Sequence, residues 1–328
     1  MTKKYFKMVA AFVCLLWGGA LLGQTPEQIS AQAVDGMEEA AQFQLAVEVE
    51  LVNVVATVLD GQGRYVEGLT ADDFAVYEDG VEQEVSFFSH DQQVPVSMGI
   101  LVDTSGSMRH KLQQSLQVAR ELAMALSPSD EVFVISFSNN NKVLTEFTTV
   151  GPELPEVFRG IRSGGETAVF DAIGLAVEMM DSSARHDKKI LLLITDGFDT
   201  RSKLRSDDID ELLRRNQVLV YAIGIDDDDS DPEVMRRTRY HVYHYMLALL
   251  TDVTGGRAFR LYTGRRYALR SLAEILLEEL HQQYTLSYYP SSLANQDWRD
   301  IQVDLDRPGA TVRHRSGYYM SPSSGADE

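Results

Sequence analysis

The side chains best placed to do chemistry in this sequence are oxygen donors in three short segments. Asp103-Thr104-Ser105-Gly106-Ser107 follows the apolar run Ile100-Leu101-Val102 without a break. Thr167 stands in the loop Ser163-Gly164-Gly165-Glu166-Thr167, and Asp196 lies in Thr195-Asp196-Gly197, directly after the apolar run Ile190–Ile194. Asp103, Ser105, Ser107, Thr167 and Asp196 together offer two carboxylates and three hydroxyls. That is a hard-oxygen set with no His or Cys, suited to Mg²⁺, Mn²⁺ or Ca²⁺ far better than to zinc. Mg²⁺ prefers octahedral coordination and keeps waters, so an incomplete protein cage is expected. Taken alone, Asp103–Ser107 ahead of a helix also reads as an N-cap. The convergence of three segments argues for a site instead. Glu166 reads first as a solvated loop carboxylate, and second as an accessory competing for the open position of the ion. Without a cation the two carboxylates repel each other. Neutralising either is therefore expected to leave the fold intact or slightly stabilised.

Strand ends must deliver these groups. Val96–Asp103, Asp130–Ser138, Lys188–Gly197, Gln217–Asp226 and Arg257–Thr263 read as strands, mostly continuous apolar runs of the kind covered on both faces. Lys142–Thr148 reads as an antiparallel edge strand. Helical spacing predicts helices over Lys111–Leu126, Thr167–Asp181, Asp207–Asn216, Tyr240–Thr254 and Tyr267–Gln283. The alternation implies an α/β fold, doubly wound, with a mostly parallel sheet and helices on both faces. In such sheets ligands bind at the carboxyl ends of the strands, near the topological switch point, where Asp103 and Asp196 fall.

Outside this region the period is two. Gln44–Leu69 reads as two strands around Asp60-Gly61-Gln62-Gly63, and Phe74–Asp91 as a hairpin with Asp79-Gly80 as a type I′ turn. After Gln283, three more strands are expected: Gln283–Pro290, Arg299–Arg307 and Thr311–Met320. The organisation expected is a signal peptide at 1–23, a linker at 24–43, a β-rich segment at 44–94, the α/β domain at 95–283, a second β-rich segment at 284–320 and a tail at 321–328. Neither β-rich piece is large enough to form a sandwich alone, so the two are expected to pair around an inserted α/β domain.

The order Asp-x-Ser-x-Ser, then Gly-Gly-x-Thr, then Thr-Asp-Gly resembles the metal ion-dependent adhesion site of von Willebrand factor type A domains. Over about residues 48–320 the chain also resembles an exported bacterial family of type A-related proteins. In that family similar hairpins precede the domain and a Gly-Tyr-Tyr ending follows it, here Gly317-Tyr318-Tyr319. The resemblance implies that Ser105 and Ser107 ligate the metal directly, and Thr167 directly or through water. Asp103 and Asp196 would act partly through waters and hold the hydroxyls. Neutral hydroxyl ligands leave the ion electron-poor, ready to take an Asp or Glu from a partner protein.

Composition bounds the partners. A formal charge of −19 over 328 residues excludes nucleic acid and disfavours anionic membrane surfaces. Lys3, Lys4 and Lys7 followed by the apolar run Met8–Gly23 read as an export signal. The expected location is the periplasm, the cell surface or the medium, with membrane attachment only if the signal stays uncleaved. The single cysteine, Cys14, lies inside that run, so no disulfide or thiolate site is expected in the mature chain. The function expected is a non-catalytic, divalent-metal-dependent protein-binding module. An alternative is a scaffold of an envelope complex with a structural metal site. A weaker one is a Mg²⁺-dependent phosphoryl-transfer enzyme. Against the enzyme, no second carboxylate stands two residues after Asp103, there is no Gly-rich loop with Lys, and "DTSGSM" is no nucleophile elbow. His241 and His244, and Asp226–Asp231, lack the further ligands a metal cage requires. Asp171 reads as a first-turn helix carboxylate, and the clustered tyrosines as packing residues.

Overall fold

The computed structural model describes residues 51–90, 94–197, 199–226, 245–262, 266–291 and 298–319, all within one unit, Val49–Glu328. The first strands are β1 (Val52–Leu59), β2 (Phe74–Glu78), β3 (Val81–Gln83) and β4 (Phe87–Ser89). Then come β5 (Val96–Asp103), α1 (Leu112–Ala125), β6 (Glu131–Phe137), β7 (Asn141–Thr148), α2 (Val169–Ser183) and β8 (Lys188–Thr195). α3 (Ser206–Asn216), β9 (Leu219–Asp226), helical residues 245–254, β10 (Arg257–Tyr262) and α4 (Arg266–His281) complete this part. The last strands are β11 (Gln283–Tyr288), β12 (Trp298–Leu305), β13 (Thr311–Arg313) and β14 (Gly317–Tyr319).

The central sheet runs β10-β9-β8-β5-β6-β7. The first five strands are parallel, and β7 is an antiparallel edge strand with a register shift against β6. Every residue of β5 is buried, because helices cover both faces of this strand. Its side chains alternate between two cores. Met98, Ile100 and Val102 face α1 and α4, whereas Leu101 faces α2 with Leu191 and Leu193 of β8. The winding reverses at β5, whose neighbours are β6 on one side and β8 on the other. The carboxyl ends of these strands therefore flank the switch point.

Strands from before and after the α/β part interleave in two antiparallel sheets, β13-β1-β11-β4 and β14-β12-β2-β3. Their inner faces share one core, with Val54, Val58, Val76, Tyr284, Leu286 and Ile301 at its centre. Within it, buried Glu78 accepts from Tyr288 and Tyr318, each at 2.8 Å.

Several elements differ from the sequence expectation. The second arm of the first hairpin is a single bridge, Leu59 to Tyr65. Asp60 Oδ1 accepts the N–H groups of Gln62 and Arg64 and closes a local loop, while the partners of β1 come from the far end of the chain. The Asp79-Gly80 turn forms as expected, with φ of 50° and 78°. The strand after it breaks into β3 and β4, which enter different sheets. Thr311–Met320, expected as one strand, likewise splits into β13 and β14. The loop before α1 contains a 3₁₀ turn, Gly106–His110, and another lies at Leu154–Phe158. Residues 240–244 of one expected helix, with His241 and His244, Asp227–Asp231 and residues 1–50 lie outside the described residues.

Candidate metal-binding site

Asp103 ends β5 with no solvent exposure. Its Oδ1 accepts the Ser105 N–H at 2.8 Å, and its Oδ2 accepts the Thr195 hydroxyl at 2.6 Å. Burial pushes this carboxyl up to about 6, opposed by the bonds from Thr195 and Ser105 and reinforced by the nearby Asp196 charge. Thr195, at the end of β8, thus bridges the two strand ends.

From there the donors form a chain. Ser105 Oγ lies 3.0 Å from Ser107 Oγ, and the Ser107 hydroxyl donates to Asp196 Oδ1 at 2.7 Å. Ser105 is buried and Ser107 exposed, so the chain opens to solvent at Ser107. Asp196 Oδ2 accepts from Lys111 Nζ at 2.8 Å, and the Asp196 side chain is 1% exposed. Lys111 is the participant that sequence reasoning missed. Its signal was its place eight residues after Asp103, where the 3₁₀ turn brings the chain back over the site.

The third segment is laced to the first. Gly106 N–H donates to Gly165 O at 2.9 Å, and Gly164 N–H to Thr104 O at 2.8 Å. Gly165 holds φ of 88°, and a Cβ there would lie 2.8 Å from the Asn139 side chain, so only glycine fits. Thr167 is 5% exposed; its carbonyl accepts from the N–H groups of Thr200 and Arg201, and its N–H donates to Thr200 Oγ1. Among the described residues its hydroxyl has no hydrogen-bond partner. Hydrogen bonds thus tie Asp103, Ser105, Ser107 and Asp196 directly together, while Thr167 joins through its loop backbone. Glu166 is exposed and lies 3.5 Å from Arg201, so it is engaged as a surface carboxylate. Asp171 accepts from Lys203 N–H and Leu204 N–H and so ties the loop after β8 to the first turn of α2.

The donor chemistry fits a hard divalent ion. Both oxygens of Asp103 and both of Asp196 are already engaged, which leaves hydroxyl lone pairs and water to meet a cation. Among the described residues no group of three or more His, Cys, Asp or Glu could hold a metal on its own.

Residues 98–239 match the family model of the von Willebrand factor type A domain. That segment is similar to a von Willebrand factor type A domain. A search of curated proteins returned no match. Among solved structures, the conserved hypothetical protein BatB from Bacteroides thetaiotaomicron is similar at 17% identity, covering 56% of this chain and 98% of that one, with a TM-score of 0.45. A von Willebrand factor type A protein from Catenulispora acidiphila matches at 14% identity over 82% of this chain and 73% of its own, at 0.46. Proximal thread matrix protein 1 from the mussel byssus, with zinc in its MIDAS motif, matches at 12% identity over 62% and 50%, at 0.47.

Proposed function

We propose that this protein is an exported, non-catalytic binding module whose type A domain holds one divalent cation, Mg²⁺ or else Mn²⁺ or Ca²⁺, and offers it to a carboxylate of a partner protein. Ser105 and Ser107 are assigned as direct ligands, and Thr167 as a ligand directly or through water. Asp103 and Asp196 act behind them, orienting the hydroxyls and balancing charge. The observation that carries this reading is the chain Ser105–Ser107–Asp196, which opens to solvent at Ser107 and is laced to the loop of Thr167 through Gly106 and Gly165. Neutral ligands quench little of the ion's charge, so an anionic sixth ligand is favoured. The partner presents an Asp or Glu. Export is proposed from Lys3, Lys4, Lys7 and the run Met8–Gly23. The interleaved sheets support a domain plan in which residues 44–94 and 284–320 form one β domain around the inserted 95–283.

The test is calorimetric titration with Mg²⁺, followed by capture of envelope proteins with Mg²⁺ and with chelator. The parent should bind one ion and retain a partner only with Mg²⁺. A Ser105→Ala, Ser107→Ala double variant should do neither. Equal heats for parent and double variant would refute the metal reading, and capture indifferent to chelator would favour the scaffold alternative.

A further inference from the structure

We infer that Lys111 divides binding energy between the cation and the partner's carboxylate, weakening the first to strengthen the second. This rests on the metal-binding reading above. Lys111 follows the 3₁₀ turn that carries Ser107, and its side chain is only 11% exposed. It reaches Asp196 Oδ2 at 2.8 Å, while Asp196 Oδ1 holds Ser107. A fixed positive charge therefore sits one carboxylate away from the hydroxyl ligands, on the buried side.

The consequence follows from charge. Asp103, Asp196 and Lys111 together carry −1. A divalent ion raises the site to +1, and one partner carboxylate brings it to zero. Without the lysine charge the site would carry −2, the ion alone would neutralise it, and an incoming carboxylate would leave it at −1. At partly buried positions a unit charge weighs far more than it does in water. Lys111 also draws on the electron density of Asp196, which makes Ser107 a less polarised donor and the ion a stronger Lewis acid. The parent site should hold metal loosely by itself and firmly once a carboxylate caps it. Cation and partner then bind cooperatively, each raising the affinity of the other by the same factor. A buried ion pair contributes little net stability in general, so its placement beside the ligands is better accounted for by this electrostatic role.

The test uses Mn²⁺ as the metal probe and acetate as the carboxylate probe on the full protein. Mn²⁺ affinity is read from the electron paramagnetic resonance of the free ion. Acetate affinity is read from displacement of Mn²⁺-bound water by proton relaxation. Lys111→Gln retains an N–H donor for Asp196 but removes the charge. It should bind Mn²⁺ at least tenfold more tightly, and acetate at least fivefold more weakly once loaded. Lys111→Arg should match the parent in both. A lysine that merely props up Asp196 predicts the reverse for metal, a loss of affinity in Lys111→Gln. Unchanged or weaker Mn²⁺ binding in Lys111→Gln, with the parent binding normally, overturns this inference alone. Absence of Mn²⁺ binding in the parent overturns it together with the proposed function. If Lys111→Gln does not fold, the decision passes to Asp196→Asn. That change shifts the site charge by one unit in the opposite direction, and it must strengthen acetate binding on the Mn²⁺-loaded site at least fivefold; unchanged or weaker acetate binding there overturns the inference.

Discussion

Ser107 and Asp196 are neighbours in one hydrogen-bonded chain, yet their removal should have different consequences. Ser107 is exposed, and Ser107→Ala deletes hydrogen bonds worth about 1 kcal/mol each. In chelator its melting temperature should lie within a few degrees of the parent's, whereas the increment that Mg²⁺ adds by linkage should vanish. Asp196→Ala takes the carboxylate from a mostly buried ammonium. Breaking one side of such a pair costs about 3–5 kcal/mol, so this variant should melt well below the chelated parent. A melting series with Mg²⁺ and with chelator separates the two. Repulsion between Asp103 and Asp196 is present, but the ion pair with Lys111 outweighs it in the stability expected of Asp196→Ala. The clustering of Asp103, Ser105, Ser107 and Asp196 was legible because their types and order are specific. Lys111 was not, because only the 3₁₀ turn at Gly106–His110 reveals that its ammonium folds back onto Asp196.

Among the elements, the strand that carries Asp103 is tightly packed at its middle. A Cβ on Gly99, in the middle of β5, would lie 2.3 Å from Phe133 Cζ and 2.6 Å from Leu191 Cδ2. Overpacking of this kind costs about 1–3 kcal/mol. Gly99→Ala should lower the denaturation midpoint, and adding Phe133→Leu should recover part of the loss. At the other end of the sheet, Lys188 of β8 donates to Leu280 O of α4 at 2.8 Å. Burial pushes its ammonium down from 10.5 to about 8, with Asp130 opposing. Between pH 8 and 10 the unfolded chain then binds the extra proton, so this group makes stability rise with pH over that window. Urea denaturation at pH 8, 9 and 10 should show that rise in the parent and a flatter profile in Lys188→Met. Strands such as β5 and β8 were legible as continuous apolar runs. The pairs β3/β4 and β13/β14 were not, because residue alternation persists across the corners where the chain changes sheets.

For the whole molecule, the question is what joins the sheet that carries the site to the strands that flank it. Glu279 of α4 is fully buried at that seam. Arg313 of β13 pairs with it, Tyr65 donates to it at 3.2 Å, and Arg257 of β10 lies 3.5 Å away. Arg313 also donates through Nε to Gly255 O at 3.1 Å, which gives it two holds on the α/β part. The interleaving of strands from both ends was foreseeable from period and size. This polar seam was not, since Tyr65, Arg257, Glu279 and Arg313 are scattered over nearly 250 residues with no pattern to link them. Removing one partner from a buried charge pair costs about 3–5 kcal/mol, more than the pair itself contributes. Arg313→Met should therefore destabilise strongly, and Glu279→Gln less, because the amide still accepts from Tyr65. The double variant should lie above the sum of the two losses by about 0.5–3 kcal/mol, the coupling expected of groups in direct contact. Calorimetry on the four proteins of this cycle reads the coupling directly. If the losses simply add, the seam is held by apolar packing and Glu279 is incidental to it. If Arg313→Met instead splits the parent's unfolding into two transitions, this one guanidinium carries the cooperativity between the α/β sheet and its flanking strands.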